Sequence, residues 1–154
     1  MSTIPLAHLA TGHPEIDREH SVLLDLLQQI DYVCVLPTRP SPGCADCSTT
    51  QRQICEMSLV DVLSRVLGFT VDHFAFEEKA MRCIPKSPAR SEHCEAHIDE
   101  HERISRDLMH LTFSIESSDI VRSGAELQAI ILGWLTEHML NVDVPFVALL
   151  NSAI

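Results

Sequence analysis

Five of the nine histidines in this 154-residue chain stand at spacings that suit metal ligation better than isolated hydrogen bonding. His73-x3-Glu77 and His97-x3-His101 are i, i+4 pairs, and each would project two ligands from one face of a helix. His20 stands alone on the first segment, and His138 is followed five residues later by Asp143. Five residues turn an ideal helix by about 500°, which leaves Asp143 pointing about 140° away from His138. Both reach one centre only through a distorted turn such as a π-bulge. Pro145 favours such a distortion because it lacks an N–H donor. A single inward histidine is commonly a hydrogen-bonded core residue. Five on separate segments, with a carboxylate one turn after His73, point instead to a metal site, because a buried carboxylate is costly unless paired or ligated.

The ligand arithmetic then suggests what such a site would do. Glu77 and Asp143 can each bridge two metals. Five imidazoles and two bridging carboxylates make nine bonds, and an oxo or hydroxo bridge adds two. Two six-coordinate metals need twelve, so one position stays open. Mixed imidazole and carboxylate donors with an open position favour iron over a closed zinc site. The expectation is a pair of non-haem iron ions with a bridging oxo or hydroxo group, taking O2 or another small diatomic at the open position.

The elements that must carry these residues are helices. Four segments repeat apolar residues at steps of three and four: about 16–36, 49–83, 88–115 and 124–143. The first stripe reads Ile16, Leu23, Leu27, Ile30 and Cys34, with His20 in the missing step. The second reads Leu59, Leu63, Val66, Thr70, His73, Glu77 and Met81. The third reads His97, His101, Ile104, Leu108, Leu111 and Ile115, and the fourth Leu127, Ile131, Trp134, His138 and Val142. Ser48 with Gln51 and Ser123 with Glu126 have capping-box spacing. Pro88 suits the first position of a helix capped by Ser87. The run from Pro37 to Gly43, Pro85 and Pro145 are expected to end helices. The fold class is therefore all-α, an up-down-up-down four-helix bundle formed by one domain over 1–154. His93 precedes His97 by one turn and offers a second His-x3-His register. His97 and His101 are preferred because Ile104, Leu108 and Leu111 continue their stripe. His8, His13 and His110 are expected at the surface.

Composition excludes several function classes. Acids outnumber bases 22 to 11, which disfavours nucleic acid or an anionic membrane surface as the main partner. No run approaches 18 apolar residues, and Met1 to Thr11 lacks the features of a secretory signal. The expected location is the cytoplasm, where six cysteines without an export signal read as thiols. Cys44-x2-Cys47 lies in the long connection 37–48, with Cys34 and Cys55 on either side. The set fits no common zinc spacing. Cys47 precedes a helix N-terminus, a place that favours thiolates, so Cys44 and Cys47 are candidate redox thiols.

The ligand set resembles the bacterial form of the hemerythrin family over about residues 11–146. The family pattern is one His on the first helix, His-x3-Glu on the second, His-x3-His on the third and His-x4-Asp on the fourth. All seven positions are filled here by His20, His73, Glu77, His97, His101, His138 and Asp143. Flanking residues match as well: Gly12 and Ile16-Asp17-Arg18-Glu19-His20, His73-Phe74-Ala75-Phe76-Glu77-Glu78, and Trp134-Leu135-Thr136-Glu137-His138. The segment between His20 and His73 is longer than the family pattern because of the cysteine-bearing connection. The resemblance implies a diiron site that binds O2 reversibly. His97, His101 and His138 would ligate one iron, His20 and His73 the second, open iron, and Glu77 and Asp143 would bridge them. Leu24, Phe74, Ile104 and Trp134 are the candidates for an apolar wall around the ligand. The cysteine connection is faintly similar to hemerythrin-like domains that head signalling proteins such as diguanylate cyclases, which implies a C-terminal signalling domain in a longer chain. The apolar stretch from Val144 to Ile154 would pack on the bundle or lead into that partner.

Three functions compete. The first is an O2 carrier, store or sensor, which is not an enzyme. The second is a diiron enzyme: a peroxidase, an oxidase or a nitric-oxide-handling reductase. Ferritin-like diiron enzymes place Glu-x2-His on two helices, and none of the nine histidines has Glu three residues before it. The third is a zinc or thiol redox module run by the cysteines, with the bundle as scaffold.

Overall fold

A computed structural model describes residues 10–33, 44–116 and 119–152. Its helices are α1 (Pro14–Ile30), α2 (Thr49–Met81), α3 (Pro88–Ser114), α4 (Ile120–Gly133) and α5 (Val144–Asn151). A 3-10 turn, Cys44–Asp46, precedes α2, and a π-helical segment, Trp134–Asp143, joins α4 to α5 without a break. There is no strand among the described residues. α1 packs on α2 and α4, α2 on α3, and α3 on α4. The short links after α2 and α3 make successive helices antiparallel, and the result is an all-α helical bundle.

The starts of the helices follow from side chains that accept their free N–H groups. Ser48 Oγ accepts from Gln51 N at 3.1 Å and Ser87 Oγ from Arg90 N at 3.4 Å. α1 has no such cap at His13. Instead the Asp17 carboxylate accepts from Thr11 N at 2.6 Å, Thr11 Oγ1 at 2.7 Å and Gly12 N at 3.2 Å. Gly12 adopts φ +85° there, a left-handed conformation that favours glycine.

Three boundaries differ from the sequence expectation. α1 stops at Ile30, not near residue 36, because Tyr32 N and Val33 N bond back three residues and tighten the last turn. Cys34 to Leu36 lie outside the described residues. The fourth helix begins at Ile120, four residues before the expected start. Its cap is Asp119, which accepts from Arg122 N at 3.2 Å, and Ser123 is buried inside the helix. Burial of Ile120 in the core draws this extra turn in. Pro145 does not end the helix. It occupies the first turn of α5, where a missing N–H is tolerated, and the chain stays helical to Asn151.

The interior is layered along the bundle axis. A large apolar cluster includes Leu23, Leu59, Val66, Ile104, Leu108, Leu127 and Ile131. A smaller one, Ile16, Met81, Ile84, Phe146 and Val147, lies apart from it. Along each helix pathway the residues between these clusters are the buried polar ones: His20 on α1, Thr70, His73 and Glu77 on α2, His97 and His101 on α3, and His138 and Asp143 in the π segment. Phe146 and Val147 seat α5 on the bundle. No described helix is long and apolar enough to cross a membrane.

Candidate metal centre

All seven sequence-predicted ligands converge in that polar layer, and each is at most 2 % exposed. α2 and α3 deliver two each because i, i+4 spacing keeps them on one helix face. Asp143 arrives differently. In the π segment the N–H of Val144 bonds to the carbonyl of Met139, five residues back. The wider turn brings residues five apart toward one face. Asp143 therefore replaces Val142 on the inner stripe, and Val142 is only half-buried.

The donor atoms form two adjoining groups, Glu77, His97, His101 and His138 in one and His20, His73 and Asp143 in the other, each within 4.8 Å. Asp143 spans both. Its Oδ1 lies 3.0 Å from His138 Nε2 and 3.1 Å from His97 Nε2, and its Oδ2 lies 3.2 Å from His20 Nε2. Glu77 Oε2 lies 3.1 Å from His101 Nε2, 3.3 Å from His97 Nε2 and 3.6 Å from His73 Nε2. Bonds of about 2.1 Å to one ion place neighbouring ligand atoms roughly 3.0–3.4 Å apart, so these spacings suit donors around cations. Among the described residues, the Nε2 atoms of His20, His73, His97 and His138 and both Asp143 oxygens are buried without a hydrogen-bond partner. Buried polar atoms are rarely left so. Cations between them would satisfy all of these donors at once, and the residues present fit a metal pair.

Burial and charge oppose each other across the site. Burial alone would push the Glu77 carboxyl up, but the imidazoles of His101 and His97 outweigh it and hold it at about 2. Asp143 is held well below the ordinary carboxylate range, because His138, His20 and His97 overcome its burial. Burial depresses His97, yet Asp143 and Glu77 raise it to about 9. His73 is raised despite burial, chiefly by Glu19. His101 is lowered chiefly by burial, with repulsion from His97 and His138 adding to it and Glu77 opposing it.

Sequence reasoning missed the groups that hold the imidazoles from behind. Glu19 Oε2 lies 2.6 Å from His73 Nδ1, and Glu78 Oε1 lies 3.3 Å from His101 Nδ1. A carboxylate on Nδ1 leaves Nε2 free to face the site. Adjacency to His20 and Glu77 was the available signal. Phe69 stacks on His73 at 5.4 Å and Phe146 meets His97 edge-on at 5.3 Å. Phe69 stands four residues before His73, so helical spacing alone places it there.

Of the four wall candidates, Trp134 lies 5.6 Å from His73 and Phe74 stacks on His101 at 3.7 Å. Ile104 is buried in the large cluster, and Leu24 is half-buried against it. His93 is half-buried, outside both donor groups, and 5.9 Å from His97 between ring centres. His110 is exposed, but His13 is half-buried rather than at the surface, because its ring meets Phe76 of α2 edge-on, 6.2 Å between ring centres. His8 lies outside the described residues. Cys44 is buried in the large cluster, and Cys47 is half-buried just before the cap of α2.

A helical bundle that turns five imidazoles and two carboxylates into its interior defines a cation-binding domain. Over residues 11–149 the chain matches the hemerythrin HHE cation binding domain, and it belongs to the hemerythrin family. Comparison with individual curated proteins and with solved structures gives no match.

Proposed function

We propose that this chain is a non-haem diiron protein that binds O2, or another small diatomic, reversibly, as a carrier, store or sensor domain. The observation that carries the reading is the placement of Asp143, one oxygen toward His97 and His138 and the other toward His20. A carboxylate placed so could bridge two ions. His97, His101 and His138 would hold one iron, His20 and His73 the other, with Glu77 as the second bridge. When bound, the iron pair supplies the electrons and the open coordination position that reversible O2 binding needs.

The chain's own residues set the conditions. Three imidazoles would hold one ion and two the other, so a free coordination position would fall beside His20 and His73. Phe69 and Trp134 cover His73 there and keep water from the bound molecule. Glu19 fixes the His73 ring by holding Nδ1. The layer is nearly closed to solvent, which suits a diatomic molecule better than an organic substrate. Absence of an enzymatic role is part of the same proposal.

The test is anaerobic loading with ferrous iron followed by exposure to air and then removal of O2. The expected result is two irons per chain and a visible absorption that rises with O2 and falls when O2 is withdrawn. Loading of fewer than two irons refutes the site. An irreversible spectral change with a released product refutes reversible binding and favours the enzyme reading.

A further inference from the structure

The described part of the cysteine connection lies outside both donor groups of the metal centre and holds two cysteines close together. Cys44-Ala45-Asp46 forms a 3-10 turn, and Cys47 N donates to Cys44 O at 3.2 Å. In such a turn the side chains at i and i+3 eclipse each other. A hydrogen-bonded four-residue turn keeps its end Cα atoms within about 7 Å. Disulfides need Cα atoms roughly 4.4–6.8 Å apart, so the backbone already holds the pair near bonding geometry. Both thiols are free. Their exposures differ: Cys44 is 4 % exposed in the large apolar cluster, and Cys47 is half-buried at the surface before Ser48, the cap of α2.

We infer that Cys44 and Cys47 form a dithiol site that closes to an intramolecular disulfide by exchange with a small-molecule disulfide such as oxidised glutathione. The inference is independent of the metal centre. Cys47 is the accessible sulfur and attacks first. Its thiolate, formed by loss of a proton to solvent, displaces one glutathione thiolate and leaves a mixed disulfide on Cys47. Cys44 then loses its proton and attacks the Cys47 sulfur, which expels the second glutathione. Two protein thiols are oxidised and one glutathione disulfide is reduced to two thiols, so atoms and electrons balance.

The other described thiols serve as internal references. Cys55 Sγ accepts from Gln51 Nε2 at 3.5 Å, Cys83 is exposed, and Cys94 is half-buried. The full chain is equilibrated anaerobically in glutathione buffers of graded potential, alkylated, digested and mapped by fragmentation mass spectrometry. The expected result is a Cys44–Cys47 disulfide at potentials where Cys55, Cys83 and Cys94 are still alkylated. In Cys44→Ser, Cys47 should end as a stable glutathione adduct. In Cys47→Ser, Cys44 should remain a thiol. A disulfide to Cys34 or Cys55, or oxidation of Cys44 and Cys47 no earlier than Cys83, overturns the inference. The wild-type map decides the matter even if a variant fails to fold.

Discussion

Replacing Glu19 with alanine removes the carboxylate that holds His73 Nδ1 at 2.6 Å. The imidazole is itself buried, so it loses its orientation and the charge that raises its basicity. Outer partners of metal-bound histidines are worth about 10–100-fold in affinity, or roughly 1.4–2.7 kcal/mol. Glu19 belongs at the upper end of that range because its contact is short and its side chain is 18 % exposed. Glu78 makes the matching contact to His101 at 3.3 Å with a side chain 33 % exposed, so Glu78→Ala should cost less, at the lower end of that range, about tenfold. The assay is an anaerobic titration of metal-free protein with ferrous iron against a competing chelator. Glu19→Ala should weaken ferrous-iron uptake at the donor group containing His20 and His73 and leave uptake at the other group nearly intact. Glu19→Gln keeps an acceptor without the charge and should fall between. Proton NMR of the metal-free variants should show His73 titrating lower than in the wild type. Wild-type affinity in Glu19→Ala, or a larger loss in Glu78→Ala, would refute the assignment.

His101→Ala removes one member of the four-residue donor group and should abolish stoichiometric two-iron loading, as counted by metal analysis. Trp134→Ala should destabilise the fold by about 3–5 kcal/mol in denaturant melts and speed irreversible oxidation of the ferrous protein, because the cover over His73 is lost. In the metal-free protein His97 is raised from 6.5 to about 9, so its stabilising contribution is full below pH 6.5 and is lost as the pH rises through 9. Glu77 is lowered from 4.5 to about 2, so its contribution is full above pH 4.5 and is lost as the pH falls through 2. Metal must displace the His97 proton, so loading should tighten from pH 6.5 to 9 and release protons, measurable by calorimetry in two buffers. Cys44→Ser should leave O2 binding intact, and loss of binding would tie the thiols to the centre.

What the residues disclosed depended on periodicity. The stripe through Leu59, Leu63, Val66, Thr70, His73, Glu77 and Met81 is buried throughout, because an uninterrupted α-helix keeps its register. The fourth helix broke that rule where it mattered. Its α-helical stripe ran to Val142, but the π turn hands the inner position to Asp143. Five-residue spacing and Pro145 indicated a distortion there, without giving its ten-residue extent. The start of that helix was obscured because two acceptors competed. Asp119 won over Ser123 once Ile120 found a place in the core, a tertiary effect that local spacing does not carry. Glu19 and Glu78 stayed hidden for a similar reason. Each lies beside a ligand in sequence but acts on a histidine of another helix.

The layering of the interior bears on the stability of the protein before it binds a cation. The block formed by Ile16, Met81, Ile84, Phe146 and Val147 is the smaller one and is cut off from the larger by a belt of charge. With no cation in that belt, the minor end has little to hold it against hydration. It should fray first and offer the start of α1 and the end of α5 to proteases. A cation bound in the belt would then protect both ends of the bundle from cleavage by stabilising the folded state.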